Sequence, residues 1–295
     1  ITFDRSEVRF NLDENNQPIG VYFKISKDSN HLIEEFMLLA NKKVSEFVSL
    51  KSGRPNENTF IYRIHDDPDP AKLESLRDFV ATFGYKMDLA NTKKVAASLN
   101  KLLHDVKGKG EENMIETLAM RSMSKAVYST EPIGHYGLGF EYYSHFTSPI
   151  RRYPDLLVHR LLQQYLLSPK PSTSESEIEM IAKHSSNMEQ KAAEAERAST
   201  KYTLALMMEQ HIGKVMEATI TGITEWGIYA MATEYHCEGL IRITDIKTDR
   251  FAYFEAEKKL VGQRTKRSYH LGDPVTVSVK KTDPQKRIID FNLLD

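Results

Sequence analysis

Cysteine is almost missing from this 295-residue sequence: Cys237 stands alone, so no disulfide can close within the chain, and such usage fits a reducing, cytoplasmic setting. Long apolar runs are missing too. No stretch approaches the ~20 residues needed to cross a bilayer, and the opening residues are polar and charged rather than signal-like, so a soluble chain with no membrane partner is expected. An excess of either charge is also absent: 40 Lys and Arg face 41 Asp and Glu, for a net charge of −1. Any surface for a polyanion must therefore be a local patch. The sequence starts at Ile1 without a methionine and runs directly into strand-like residues, as expected of a fragment whose upstream part is absent.

What is present concentrates in Ser144 to Arg160, S-H-F-T-S-P-I-R-R-Y-P-D-L-L-V-H-R. Ser148 offers a capping hydroxyl and Pro149 a φ already set for a first helical turn. Pro154 removes a helix hydrogen bond, so the main helix can begin only at Tyr153 or Pro154, after a short turn. Arg151 and Arg152 then sit at a helix start, where free N–H groups and a rigid guanidinium fork suit a phosphate. An exposed basic pair making surface salt bridges fits the spacing equally well.

Along the chain, Val8 and Phe10 share one face of a strand, Asp13-Glu14-Asn15-Asn16 is turn chemistry, and Ile19 to Phe23 returns as a second strand. Ser29 or Asn30 caps a helix over His31 to Leu50 whose apolar positions Ile33, Phe36, Met37, Ala40, Val44 and Phe47 are read as its core face. Glu34 near its start can simply complement the helix dipole. His65-Asp66-Asp67-Pro68-Asp69-Pro70 resembles a metal cluster, but its prolines enforce an extended loop, and Asp69-Pro70 is an N-cap and first-turn proline for a helix over Lys72 to Phe83. Further helices are expected over Lys93 to His104, Glu111 to Tyr128, Leu156 to Leu167 and Glu177 to Gln210. Gly137 and Gly139 lack the third glycine and Lys-Ser/Thr of phosphate loops and make a tight turn instead. From Ile212 the texture changes to short strands over 214–220, 226–231, 239–243, 274–281 and 287–293, as in an OB barrel. Trp226 and Tyr229 are there either stacking platforms for bases or core.

His135 to Arg160, H-Y-G-L-G-F-E-Y-Y-S-H-F-T-S-P-I-R-R-Y-P-D-L-L-V-H-R, together with H-L-I-E-E-F-M-L-L-A-N (His31 to Asn41) and A-E-R (Ala195 to Arg197), strongly resembles the ribonuclease II / ribonuclease R family of exoribonucleases. The resemblance implies an α+β chain: residues 1–210 as the C-terminal portion of the catalytic RNB domain, and 211–295 as an S1-type OB-fold RNA-binding domain. It implies a monomer that removes nucleotides from the 3′ end of single-stranded RNA by Mg²⁺-assisted hydrolysis. On the family pattern Arg151 contacts the scissile phosphate, Ser148 lies on the RNA, and Arg152 meets a neighbouring phosphate or buttresses the loop. Glu34 lies near a ribose, Phe3 stacks on the terminal base, and Glu196 lines the channel. Trp226, Tyr229, Arg242, Asp283 and Arg287 fall on nucleic-acid-facing positions of the barrel. The family's run of metal-binding aspartates has no match here, so the Mg²⁺ ligands are expected upstream of Ile1 and the piece is expected to be inactive alone. The alternative is a non-catalytic RNA-binding protein that keeps the channel and barrel.

Overall fold

A computed structural model describes residues 7–24, 26–50, 58–109, 111–167, 174–255 and 258–294. In chain order it holds a hairpin, β1 (Glu7–Leu12) and β2 (Pro18–Lys24), then α1 (Asp28–Leu50), β3 (Tyr62–Ile64), α2 (Pro70–Ala81), α3 (Thr92–Val106) and α4 (Glu112–Ser122). There follow β4 (Val127–Ser129), α5 (Tyr153–Leu167) and the long α6 (Glu175–Glu209). The rest is strand: β5 (Val215–Thr224), β6 (Gly227–Ala232), β7 (Cys237–Arg242), β8 (Phe251–Phe254), β9 (Lys259–Gly262), β10 (Ser268–Tyr269), β11 (Pro274–Asp283) and β12 (Ile288–Leu293). Two compact units form, one from Ser26–Leu99 and Ala119–Ala193, the other from Asn100–Leu118, Glu194–Asp295 and the N-terminal hairpin.

The first unit is cored by Val48, Phe60, Ile61, Tyr62, Tyr128, Leu157, Val158, Leu161 and Tyr165. Local signals fix several of its elements. Asp69 caps α2 by accepting from the N–H groups of Ala71 and Lys72, with Pro70 in the first turn. Helix α5 begins at Tyr153 after a turn over 149–151, as Pro154 requires.

Two expectations are corrected here. In α1 Ile33, Phe36, Met37 and Phe47 are exposed, Ala40 and Val44 are half-buried with Val44 packed on the core, and the fully buried positions are Asn41, Ser45, Val48 and Ser49. The small polar side is inside because it carries the bonding: Ser49 Oγ donates to the Ser45 carbonyl at 2.7 Å and pairs with Tyr62 Oη at 2.8 Å. The helix expected to reach Tyr128 stops at Ser122, whose Oγ turns back to the Ala119 carbonyl. Val127 and Tyr128 instead form β4, pairing antiparallel with Ile64 and Arg63 of β3, since β-branched and aromatic residues gain more there than in a fraying helix.

In the second unit β11-β12-β7-β6-β5 close a barrel. Ile228, Ala230, Ile241, Val277, Val279 and Phe291 fill it, and Met207 and Met208 at the end of α6 join the same core with Phe10 and Val21 of the hairpin. Each large aliphatic or aromatic side chain so enclosed contributes about 1.5–3 kcal/mol. Beyond the five expected strands, β8, β9 and β10 make a separate antiparallel sheet in the order β10-β9-β8. Gly227 opens β6 at φ 147°, and a Cβ there would run into the Ile241 carbonyl oxygen. Gly227→Ala combines a strained φ with a backbone collision, and is expected to lower the unfolding free energy of the barrel by about 3 kcal/mol, read from urea denaturation followed by Trp226 fluorescence.

Candidate nucleic-acid interface

The turn that carries the two arginines is tied down from several sides. Arg63 N–H donates to the Tyr143 carbonyl, and Ser144 Oγ donates to the Ile61 carbonyl at 2.6 Å, fixing the strand-like entry against β3. Asn41, on the buried face of α1, accepts the N–H groups of Phe146 (2.9 Å) and Thr147 (3.2 Å) on one oxygen and donates to Tyr143 Oη at 3.1 Å. From the far side Asp155, 0% exposed, accepts the Ser148 N–H at 2.8 Å and an Arg152 Nη2 bond at 2.8 Å. His159 stacks on Phe146 with ring centroids 4.1 Å apart and bonds the Phe146 carbonyl.

The turn before α5 is therefore closed by the Ser148 carbonyl, which accepts the N–H groups of Arg151 and Arg152, and is held to the helix by Asp155. The Ser148 hydroxyl, expected to cap, has no bond among the described residues; Asp155 takes the Ser148 amide instead. Arg152 is spent on Asp155. Arg152 Nε and Asp155 Oδ2 are buried without partners in the described protein, so each has bonding capacity left over. Arg151 is exposed and makes no side-chain bond or ion pair among the described residues, and Ile150 beside it is fully exposed.

Behind the turn lies a ring-rich layer. His65 packs on His135 at 5.1 Å, His135 on Tyr143 at 5.3 Å, and Tyr143 on His145 at 5.8 Å. His145 Nδ1 bonds Tyr128 Oη at 2.8 Å. Arg63 is paired through both its terminal nitrogens with Glu189, at 2.6 and 3.0 Å, and lies 4.8 Å from the centre of the Tyr128 ring. Burial first, then Arg152 and Arg63, pushes His145 down to about 3. Burial, then His65 and Arg63, takes His135 to about 4. Burial raises Tyr128 to about 12. These groups are neutral at physiological pH, so the charge here comes from Arg63 and Arg152 with their partners Glu189 and Asp155, and from Arg151.

The remaining candidates are more scattered. Glu34 is exposed on α1 and lies 3.7 Å from His31. Glu196 is exposed midway along α6 and belongs to the second unit, whereas Arg151 belongs to the first. Phe3 lies outside the described residues. On the barrel, Trp226 is 68% exposed in the β5–β6 turn, which answers the core alternative for that residue. Tyr229 faces outward beside Leu240, and Arg242 stands opposite Gly227. Arg242 is already paired with Asp290 at 3.3 Å. Asp283 and Arg287 flank the β11–β12 turn, where Asp283 accepts the Lys286 N–H and Arg287 holds φ 60°. The parallel register of Asp290 with Leu240 puts that turn at the opposite end of β7 from Trp226 and Arg242. The barrel candidates thus form two groups rather than one stripe.

Against known families, residues 1–168 match the RNB domain model and 209–293 the S1 RNA binding domain model. The chain belongs to the RNB family. Its relatives include Ribonuclease R 1 of Lactococcus lactis, 37% identical over 298 residues, covering 100% of this chain and 36% of that protein. Ribonuclease R of Aquifex aeolicus is 34% identical over 297 residues, covering 100% of this chain and 41% of the relative. The apo form of Mycoplasma genitalium RNase R superposes with a TM-score of 0.87 at 30% identity, covering 98% of this chain and 45% of that one. The RNB-family chain thus spans less than half the length of these relatives.

Asn41, Asp155, Arg63 and Glu189 were not singled out in the sequence, although Asn41 closes the His31–Asn41 motif and Asp155 lies inside His135–Arg160. A polar residue repeated in such a motif, on a helix, was the available signal.

The buried imidazoles tie stability to pH. Their ordinary value is 6.5 and the folded values lie near 4 and 3, so below about 6.5 the unfolded chain takes up protons that the folded chain refuses. Their contribution is complete above pH 6.5 and is lost as pH falls. Unfolding free energy from urea titrations is expected to drop by about 4 kcal/mol from these two groups together between roughly pH 7 and pH 5. No drop would mean that both rings gain protons in place.

Proposed function

We propose that the chain is part of a cytoplasmic, monomeric 3′-to-5′ exoribonuclease that hydrolyses single-stranded RNA processively to nucleoside 5′-monophosphates. In this reading residues 1–210 contribute to the catalytic domain and 211–295 form the S1-type RNA-binding domain. The observation that carries it is Arg151: an unpaired, exposed guanidinium on a turn whose backbone is fixed from both sides by Asn41 and Asp155. Support comes from the Ribonuclease R relatives, and from the Mycoplasma genitalium RNase R solved in complex with ribose methylated single-stranded RNA.

Arg151 places a fixed positive charge where negative charge grows on the phosphoryl oxygens during in-line attack. A cation that needs no reorganisation stabilises that state more than the ground state. Arg152, neutralised by Asp155, serves as the buttress. Glu34 accepts from a ribose 2′-hydroxyl, which separates RNA from DNA, and Phe3, Ser148 and Glu196 contact the strand. Trp226 and Tyr229 stack bases, with Arg242, Asp283 and Arg287 beside the backbone.

Among the described residues no group of three or more His, Cys, Asp or Glu is placed to hold a metal ion. The described residues do not fit Mg²⁺; in this proposal its ligands lie outside these 295 residues.

Two measurements test the reading. The purified 295-residue chain with Mg²⁺ is expected to release no nucleoside monophosphates from labelled single-stranded RNA, while a chain extended upstream does; robust release by the shorter one would sink the division of labour. In the extended enzyme Arg151→Ala is expected to lower kcat about 10²–10³-fold with KM little changed. An equal rise in KM with kcat intact would make Arg151 a mere binding contact.

A further inference from the structure

We propose that one end of the β8–β9–β10 sheet is a second phosphate-binding surface for single-stranded RNA, separate in sequence and in strand from the aromatic positions Trp226 and Tyr229. The inference rests on the RNA reading above and deepens it by naming where the sugar-phosphate backbone is held. Phe251 of β8 stands opposite Gly262 of β9, and Val261 opposite Ser268 of β10. That register sets Arg250, just before β8, against the 263–267 loop joining β9 to β10, and the Gln263 N–H donates to the Arg250 carbonyl at 2.8 Å. Arg250, Arg264, Lys266 and Arg267 thus share one end of the sheet, and all four are exposed.

The loop bearing three of these cations is clamped. Asp249 accepts the N–H groups of Arg250 (2.7 Å), Arg264 (3.0 Å) and Thr265 (2.6 Å) and the Thr265 hydroxyl (2.7 Å). The Thr265 bonds first, then those from Arg250 and Arg264, hold its carboxyl well below the usual carboxylate range. Gly262 makes the clamp fit, since a Cβ there would lie 2.6 Å from Asp249 Oδ2 and 2.7 Å from Thr265 Oγ1. Arg264 Nη2 reaches the Thr248 carbonyl at 3.3 Å, and the Arg267 guanidinium lies 5.0 Å from the centre of the Tyr269 ring. Asp249 is occupied by backbone donors and the Thr265 hydroxyl. Arg250 and Lys266 have no acidic partner among the described residues.

Chemistry selects the partner. Three of the four cations are arginines, whose planar forks match pairs of phosphate oxygens, on a backbone held still by one carboxylate. Anionic lipid surfaces are met by polybasic segments beside a membrane anchor or on an amphipathic helix, neither of which needs a clamped loop.

The test uses the full 295-residue chain and a fluorescein-labelled oligo(A), with affinity measured by anisotropy from about 50 to about 200 mM salt. In Arg250→Gln/Lys266→Gln/Arg267→Gln the slope of log affinity against log salt is expected to shrink by about 2, from three phosphate contacts at ~0.7 each. The deficit against wild type then narrows roughly 20-fold across that range. Asp249→Asn adds positive charge but loosens the clamp, and is expected to bind more weakly; tighter binding would show that charge alone acts and overturn the proposal. An unchanged slope in the triple variant overturns it too, as does loss of sedimentation with phosphatidylserine vesicles while the RNA slope stays intact. Trp226→Ala is expected to weaken binding with the slope unchanged. Absence of RNA binding by the wild-type chain would instead remove the RNA reading itself.

Discussion

One buried amide holds the arginine turn to the rest of its unit. Asn41 sits 4% exposed, and an amide in that position is costly unless it is bonded. It is bonded three times, to two backbone N–H groups of the turn and to Tyr143 Oη. Asp155 repeats the arrangement from α5. Two polar side chains on two helices therefore fix the same short segment, and removing either leaves buried donors without acceptors, at about 1–3 kcal/mol each. The backbone of Arg151 is set by this frame while its side chain stays exposed. Preorganisation of that kind is what lets a cation act on a developing charge without first paying to move.

The same bonding explains which parts of the fold were legible in sequence. The Asp69-Pro70 cap, the N-terminal hairpin and the delayed start of α5 depend on neighbours within a few residues, and could be read directly. The burial of α1 could not. Hydrophobic periodicity identifies a face but not what covers it, and the inward face of α1 is polar because its partners lie far along the chain: Tyr143 is 102 positions from Asn41. The end of α4 failed for a related reason, since Tyr128 is claimed by β3 and by His145 rather than by its own helix. The β8–β10 sheet escaped because its strands are two to four residues long, too short for alternation to show. Among site residues, Arg151 and Trp226 announced themselves by type. Asn41 and Asp155 did not, because a polar residue on a helix is ordinarily read as surface.

Charge is organised locally in a chain that is almost neutral overall. In the first unit Arg63 is matched by Glu189 and Arg152 by Asp155, which leaves Arg151 as the unmatched cation of the turn. The histidines packed behind it are kept uncharged, mainly by burial and secondarily by those same arginines. Protonation of His135 and His145 therefore adds no charge to the site over the physiological range. In the second unit Asp249 plays a comparable part: a carboxylate beside arginines would ordinarily cancel one of them, but this one is saturated by backbone amides and a hydroxyl. A carboxylate used in this way rigidifies the loop and leaves the Arg250 guanidinium donors unpaired among the described residues, while its own negative charge still lowers the local sum. Both units thus present, on a fixed backbone, cations without an acidic partner among the described residues: Arg151 in the first, Arg250 and Lys266 in the second. For a polyanion that must be held loosely enough to move, geometry of this kind supplies attraction without the deep, fully paired contacts that would arrest it.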